Sequence, residues 1–242
     1  MAVTQNVAGR IYSVSNGVES YLNLKNTNAD LLNRIAELET TVSAYQQQLE
    51  LLKDTSDTGQ FELDSIHSLI YTFKQACVVY NNVSSIENYL MLDKGSEDGI
   101  EADMGVISPS GIVGRVHSVS ANYSIVIPVL NPKFIISCKV KNNDYFGSLV
   151  WDGKDPRFTY LEGLPHHVDF EINDTVVTSG YSSIFPEGLP VGKIVGSQKQ
   201  KDGNSNSLKI ELFTNFSTLK NALIVKNSHK EERKNLLKTV DL

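Results

Sequence analysis

The sequence predicts a mainly β protein with a long N-terminal α-helix: a coiled coil followed by two small β-barrels. Three observations carry this prediction. No glycine or proline occurs between Gly17 and Gly59, whereas all seven prolines lie from Pro109 to Pro190. Helix interiors avoid both residue types and turns use them, so the chain changes character near residue 59. An apolar three-four repeat runs through the N-terminal part. Beyond it come short β-type runs separated by Gly, Pro, Asn and Asp.

The repeat places Leu24, Asn28, Leu31, Ile35, Leu38, Val42, Tyr45, Leu49 and Leu52 at the a and d positions of successive heptads. Backward extension puts Val7, Val14 and Tyr21 on a, with Arg10 and Gly17 weakening d. A helix from Val7 to Leu52 would be roughly 70 Å long, at about 1.5 Å per residue. β-Branched Ile35 and Val42 at a, with Leu31, Leu38 and Leu52 at d, favour two parallel strands. Asn28 at a would fix register, and Arg34 at g would face Glu39 at e of the partner. The competing reading is a single amphipathic helix packed on the barrels. The narrow seam and the flanking Gln46, Gln47 and Gln48 weigh against it.

Twelve β-type runs follow: 73–80, 89–92, 105–108, 112–119, 124–129, 135–140, 145–151, 158–161, 175–178, 191–195, 208–212 and 222–225. In Leu208–Leu212 apolar and charged residues alternate, the pattern of a strand with one face in a core. An internal repeat strengthens the two-barrel reading. Asp103–Ser108 followed by Gly111–Val116 resembles Asp174–Ser179 followed by Gly188–Ile194. In each copy a glycine, Gly114 or Gly192, falls inside a strand, a position that marks a bulge or a close backbone approach. The expected division is a coiled-coil helix at 1–58, a first barrel at 59–130, a second at 131–207 and a charged tail at 227–242. Residues 208–226 are candidates to return and complete the first barrel.

Composition narrows the function. Hydrophobic residues make up 40% of the chain, enough for real cores. A net charge of −6 without a basic stripe argues against nucleic acid. No stretch reaches the roughly 18 apolar residues of a membrane span. The most apolar, Ser124 to Val140, is broken by Asn131, Pro132 and Lys133. The chain as given is therefore expected to be soluble, with any anchor lying before Met1. Cys77 and Cys138 both sit in apolar runs and read as buried free thiols, with a disulfide between them the alternative in an oxidising compartment.

Catalytic and metal chemistry find little support. A double barrel is also the plan of some serine proteases, and Ser179 is the tempting nucleophile. No His, Asp and Gly-x-Ser-x-Gly context accompanies it, so a turn serine is the plainer reading. His166, His167 and Asp169 are close in sequence, but neighbouring side chains on a strand point to opposite sides. The acidic stretch Asp93–Gly99 lacks the alternating ligands of a calcium loop and reads as a tight turn. The expectation is a protein with no enzyme activity and no cofactor.

Several blocks resemble the MreC family of rod shape-determining proteins. They are Leu92–Ile100, then Gly111-Ile112-Val113-Gly114, then Thr178-Ser179-Gly180, then Phe185-Pro186-Glu187-Gly188-Leu189-Pro190-Val191-Gly192. Order and spacing are similar too, with a coiled coil upstream. The resemblance implies a homodimeric, non-catalytic scaffold of the cell-elongation machinery, on the periplasmic face of the inner membrane. A membrane helix would precede this chain. The implied partners are MreD, the MreB complex and a class B penicillin-binding transpeptidase. Loop position before Pro186 makes Tyr181 and Phe185 the candidate docking residues, with a core role for Phe185 an equal reading. The alternative is a periplasmic adaptor of an efflux or secretion system, which would need a second heptad arm.

Overall fold

The strands close into two six-stranded antiparallel barrels in the computed structural model. It describes residues 30–43 and 70–239, apart from 142, 144, 166, 183 and 200–204. The first barrel holds β1 (Tyr71–Asn81), β2 (Leu90–Leu92), β3 (Gly105–Ser108), β4 (Gly111–Val119), β5 (Ser124–Pro128) and β12 (Asn221–Asn227). The second holds β6 (Ile136–Val140), β7 (Phe146–Val150), β8 (Phe158–Pro165), β9 (Thr175–Thr178), β10 (Pro190–Lys199) and β11 (Ser205–Leu212). Each expected run corresponds to one of these strands.

The two barrels share one plan. Round the first, the order is β1, β12, β3, β4, β5, β2; round the second it is β7, β6, β9, β10, β11, β8. Matching β1–β5 with β7–β11 and β12 with β6 makes the lists coincide. The barrels are thus circular permutants: the sixth strand comes last in one and first in the other. The internal repeat maps onto β3–β4 and β9–β10. Gly114 and Gly192 occupy equivalent places beside bulges in β4 and β10. A Cβ at either would lie 2.2 Å from a carbonyl oxygen of the next strand, that of Ile127 or Glu211.

Leu208–Leu212, a candidate to return to the first barrel with the last strand, forms the core of β11. It pairs with β10 and β8, with Ile194 opposite Ile210 and Leu208 opposite Leu161. All four side chains are buried, so this register keeps the apolar residues inside the second barrel. Only β12 returns, between β1 and β3. The second barrel is therefore inserted into the first.

Burial follows strand period where one face meets solvent. In β6, Ile136, Cys138 and Val140 point inward and Ser137 and Lys139 outward. Strand β3 is buried throughout, because its second face meets the other barrel. The chain crosses between barrels twice, before β6 and after β11. At the first crossing, fully buried Asn88 and Asn131 exchange bonds: Asn88 Nδ2 donates to Leu130 O and Asn131 Nδ2 to Asn88 O, both at 2.8 Å. At the second, Thr214 Oγ1 donates to Ile112 O at 3.0 Å and lies 3.1 Å from Ser108 Oγ.

Helix α1 spans residues 30–43. Leu31, Leu38 and Val42 are 59%, 54% and 47% exposed, and Ile35 is half-buried. The buried residues are instead Leu32 and Ala36, about 100° round the helix from that stripe. Ala36 joins the apolar core cluster and Ile35 packs against it. The other expected a and d residues, Leu24, Asn28, Tyr45, Leu49 and Leu52, lie outside the described residues. The charged tail contains a second helix, α2 (Lys230–Lys238). No helix among the described residues is long and apolar enough to cross a membrane.

Candidate functional site: an aromatic face on the second barrel

The strand pairing of the second barrel builds an apolar outer face. Lys139 of β6 lies opposite Phe146 of β7 on one side and Val177 of β9 on the other. Phe146 shares the outward face of β7 with Ser148, while Gly147 and Leu149 are buried. The chain leaves β9 through a left-handed Gly180, with φ of 77°, and delivers Tyr181 beside Phe146. Their ring centroids are 4.7 Å apart, tilted by 49°. Both rings remain open to solvent, Phe146 51% and Tyr181 67% exposed. Next to them Tyr145 meets His167 edge-on at 4.9 Å. Lys139, 17% exposed, pairs with Glu187 at 2.5 Å along the same face.

Surface aromatics that stack on each other while facing water carry a large apolar area at low conformational cost. Such residues are enriched in the cores of protein interfaces. The arrangement suits docking against another protein rather than turnover of a small molecule.

Of the two residues expected to dock a partner, only Tyr181 is presented. Phe185 is fully buried, because its ring fills the space left by Gly105 of β3. A Cβ at Gly105 would fall 2.6 Å from that ring. Phe146 was missed by sequence reasoning. The available signal was its place in phase with Ser148 and out of phase with Leu149.

The motif residues hold the loop between β9 and β10 and the joint beside it. Thr178 Oγ1 donates to Pro186 O at 2.6 Å and accepts from Leu189 N at 3.0 Å. Gly188 takes a positive φ of 87° and donates its N–H to Thr178 O. Ser179 is 5% exposed and its hydroxyl bonds Ser137, with Oγ–Oγ 2.8 Å, so it serves as a β6–β9 link. Gly111, Gly114 and Gly192 are close-approach positions; a Cβ at Gly111 would lie 2.6 Å from Pro190 O. The Asp93–Gly99 stretch is a 3-10 turn at Ser96–Asp98, in which Asp98 bonds Lys94 and the Gly95 amide.

The cysteines part company. Cys138 is buried inside the second barrel, where desolvation pushes its thiol pKa up. Cys77, expected to be buried, is exposed on β1, so the two are not joined. On the loop before β8, hydrogen bonds from Arg157 pull the Asp155 carboxyl down to about 2. Among the described residues no three His, Cys, Asp or Glu side chains gather in a metal-holding group.

Comparison with known proteins agrees with this architecture. The family described as "Rod shape-determining protein MreC, barrel core" matches residues 78–226. A cell shape-determining protein MreC from Listeria monocytogenes is 29% identical over 224 residues, covering 89% of this chain and 74% of that protein. Matches to relatives from Escherichia coli and Caulobacter vibrioides span 29% and 50% of those proteins. A solved MreC structure from Listeria monocytogenes superposes with a TM-score of 0.63 at 30% identity, covering 81% of this chain and 92% of that one. A structure described as a complex between penicillin-binding protein PBP2 and MreC from Helicobacter pylori gives 0.53 at 13% identity, covering 65% and 99%. With the barrel core matched across most of the described strands, the chain belongs to the MreC family of cell shape-determining proteins.

Proposed function

We propose that this chain is a non-catalytic scaffold that pairs through its helix and docks a class B penicillin-binding transpeptidase through the Phe146–Tyr181 face. It would thereby organise peptidoglycan synthesis during cell elongation, on the periplasmic side of the inner membrane. MreD, the MreB complex and a membrane helix outside this chain complete the proposal as expected partners and anchor.

The observation that carries it is where surplus apolar surface lies. The barrel interiors are apolar, and among the large apolar side chains left exposed, which include Ile86, Ile135 and Ile172, Leu31, Leu38 and Val42 form a stripe at heptad spacing and Phe146 and Tyr181 a pair in ring contact. Stripes of that spacing suit a second helix, and aromatic pairs suit a protein surface. The penicillin-binding partner of the Helicobacter relative supports the choice of transpeptidase.

The test is binding of the transpeptidase's periplasmic part, by calorimetry, to the chain and to its Phe146→Ala and Tyr181→Ala variants. A central aromatic is worth about 2 kcal/mol or more, so each variant should bind roughly 30-fold more weakly. Undiminished binding by both would remove this face from the proposal.

A further inference from the structure

The loop between β9 and β10 has a buried half that serves neither barrel's interior alone. Phe185 leaves the second barrel and sets its ring against Gly105 of the first. Its carbonyl accepts a bond from the hydroxyl of Tyr71, the first residue of β1, at 3.4 Å. Five residues on, Pro190 O fits against Gly111 so closely that a Cβ there would be 2.6 Å away. The segment is tied equally to its own barrel through Thr178, whose hydroxyl bonds Pro186 O and the Leu189 amide.

From this geometry we infer that the Phe185–Pro190 segment is a key that locks the two barrels at one fixed angle, with Gly105 and Gly111 as its notches. The crossings at Asn131 and Thr214 also join the barrels, the second beside Gly111, where an added Cβ would lie 3.5 Å from Thr214 Oγ1; the contact of Phe185 with Gly105 adds a further point of fit. Phe185 and Gly105 are therefore positioning residues. They set the Phe146–Tyr181 face relative to Tyr71, where the chain enters the first barrel. The lock holds whether or not that face binds a transpeptidase.

A close-packed fit holds one arrangement, so losing it should admit others besides the one seen. The experiment is a spin-label distance measurement on the full chain carrying Cys77→Ser. Labels replace exposed Asn122 of the first barrel and Ser148 of the second, and unlabelled chain dilutes the sample. The expected result is one narrow distance population. It should survive Tyr181→Ala and be lost in Gly105→Ala and in Phe185→Leu, the latter chosen to preserve folding. Restoration of the narrow population in the Gly105→Ala, Phe185→Leu double variant would show a direct fit between the two sites. A broad or split distribution in the unaltered chain would overturn the lock. So would a narrow, unshifted one in both single variants.

Discussion

The two barrels share a strand order but not a chain order, and this difference separates what is local in the fold from what is long-range. The second barrel draws all six strands from one continuous stretch, Ile136 to Leu212. The first must wait for β12, which pairs with β1 from more than a hundred residues away: Phe73 lies opposite Val225. Loop closure over that span is tolerable in stability but leaves the first barrel the more dependent on its partner. The same asymmetry orders the outer surfaces. The inserted barrel carries the stacked aromatic face. The interrupted one meets the locking segment through β3.

The largest effect should come from ending the chain at Leu219. Without β12, β1 and β3 become unpaired edges and the first barrel cannot close. The second should persist, and Cys138 reports on it. Alkylation of the truncated chain should remain confined to Cys77, whereas rapid modification of Cys138 would mean that the barrels fold only together.

Next come the paired glycines. Gly114→Ala and Gly192→Ala each force a Cβ to within 2.2 Å of a backbone carbonyl. Overpacking of this kind costs about 1–3 kcal/mol, and equivalence of the two sites predicts similar losses by denaturant titration. At Gly196 of the same β10 nothing lies within 4 Å. Gly196→Ala should be neutral or stabilising by about 0.4–1 kcal/mol. Unequal losses at 114 and 192 would break the permutation argument.

The smallest effect is acidic. Arg157 holds the Asp155 carboxyl down at about 2, against an ordinary 3.8. A depressed carboxylate contributes stability that is present above its unfolded pKa and is lost as pH falls through its folded one. Asp155→Asn should therefore matter slightly at neutral pH, progressively less as pH falls through about 2, and not at all well below it. An acid titration of both chains, followed by the fluorescence of buried Trp151 just after β7, checks the sign.

Much of this was legible in the sequence because it is local. The alternation in Leu208–Leu212 and the in-strand Gly114 and Gly192 each reflect a neighbour-scale constraint. Barrel membership was not legible, since nothing in the residues of β11 distinguishes pairing with β8 from pairing with β1. Phe185 illustrates the other limit. A phenylalanine in a loop before proline reads equally as a docking residue or as core, and only the empty space above Gly105, 80 residues earlier in the chain, decides for core. Phe146 is the converse: a strand residue whose phase sends it outward.

Whether the exposed stripe of α1 joins two chains is settled most directly by sedimentation equilibrium of the whole chain beside a Leu31→Ser, Leu38→Ser variant. The unaltered chain should show a concentration-dependent monomer–dimer equilibrium, and the variant a monomer throughout. A monomer at every concentration in both, or a dimer untouched by the two serines, would contradict pairing through the helix.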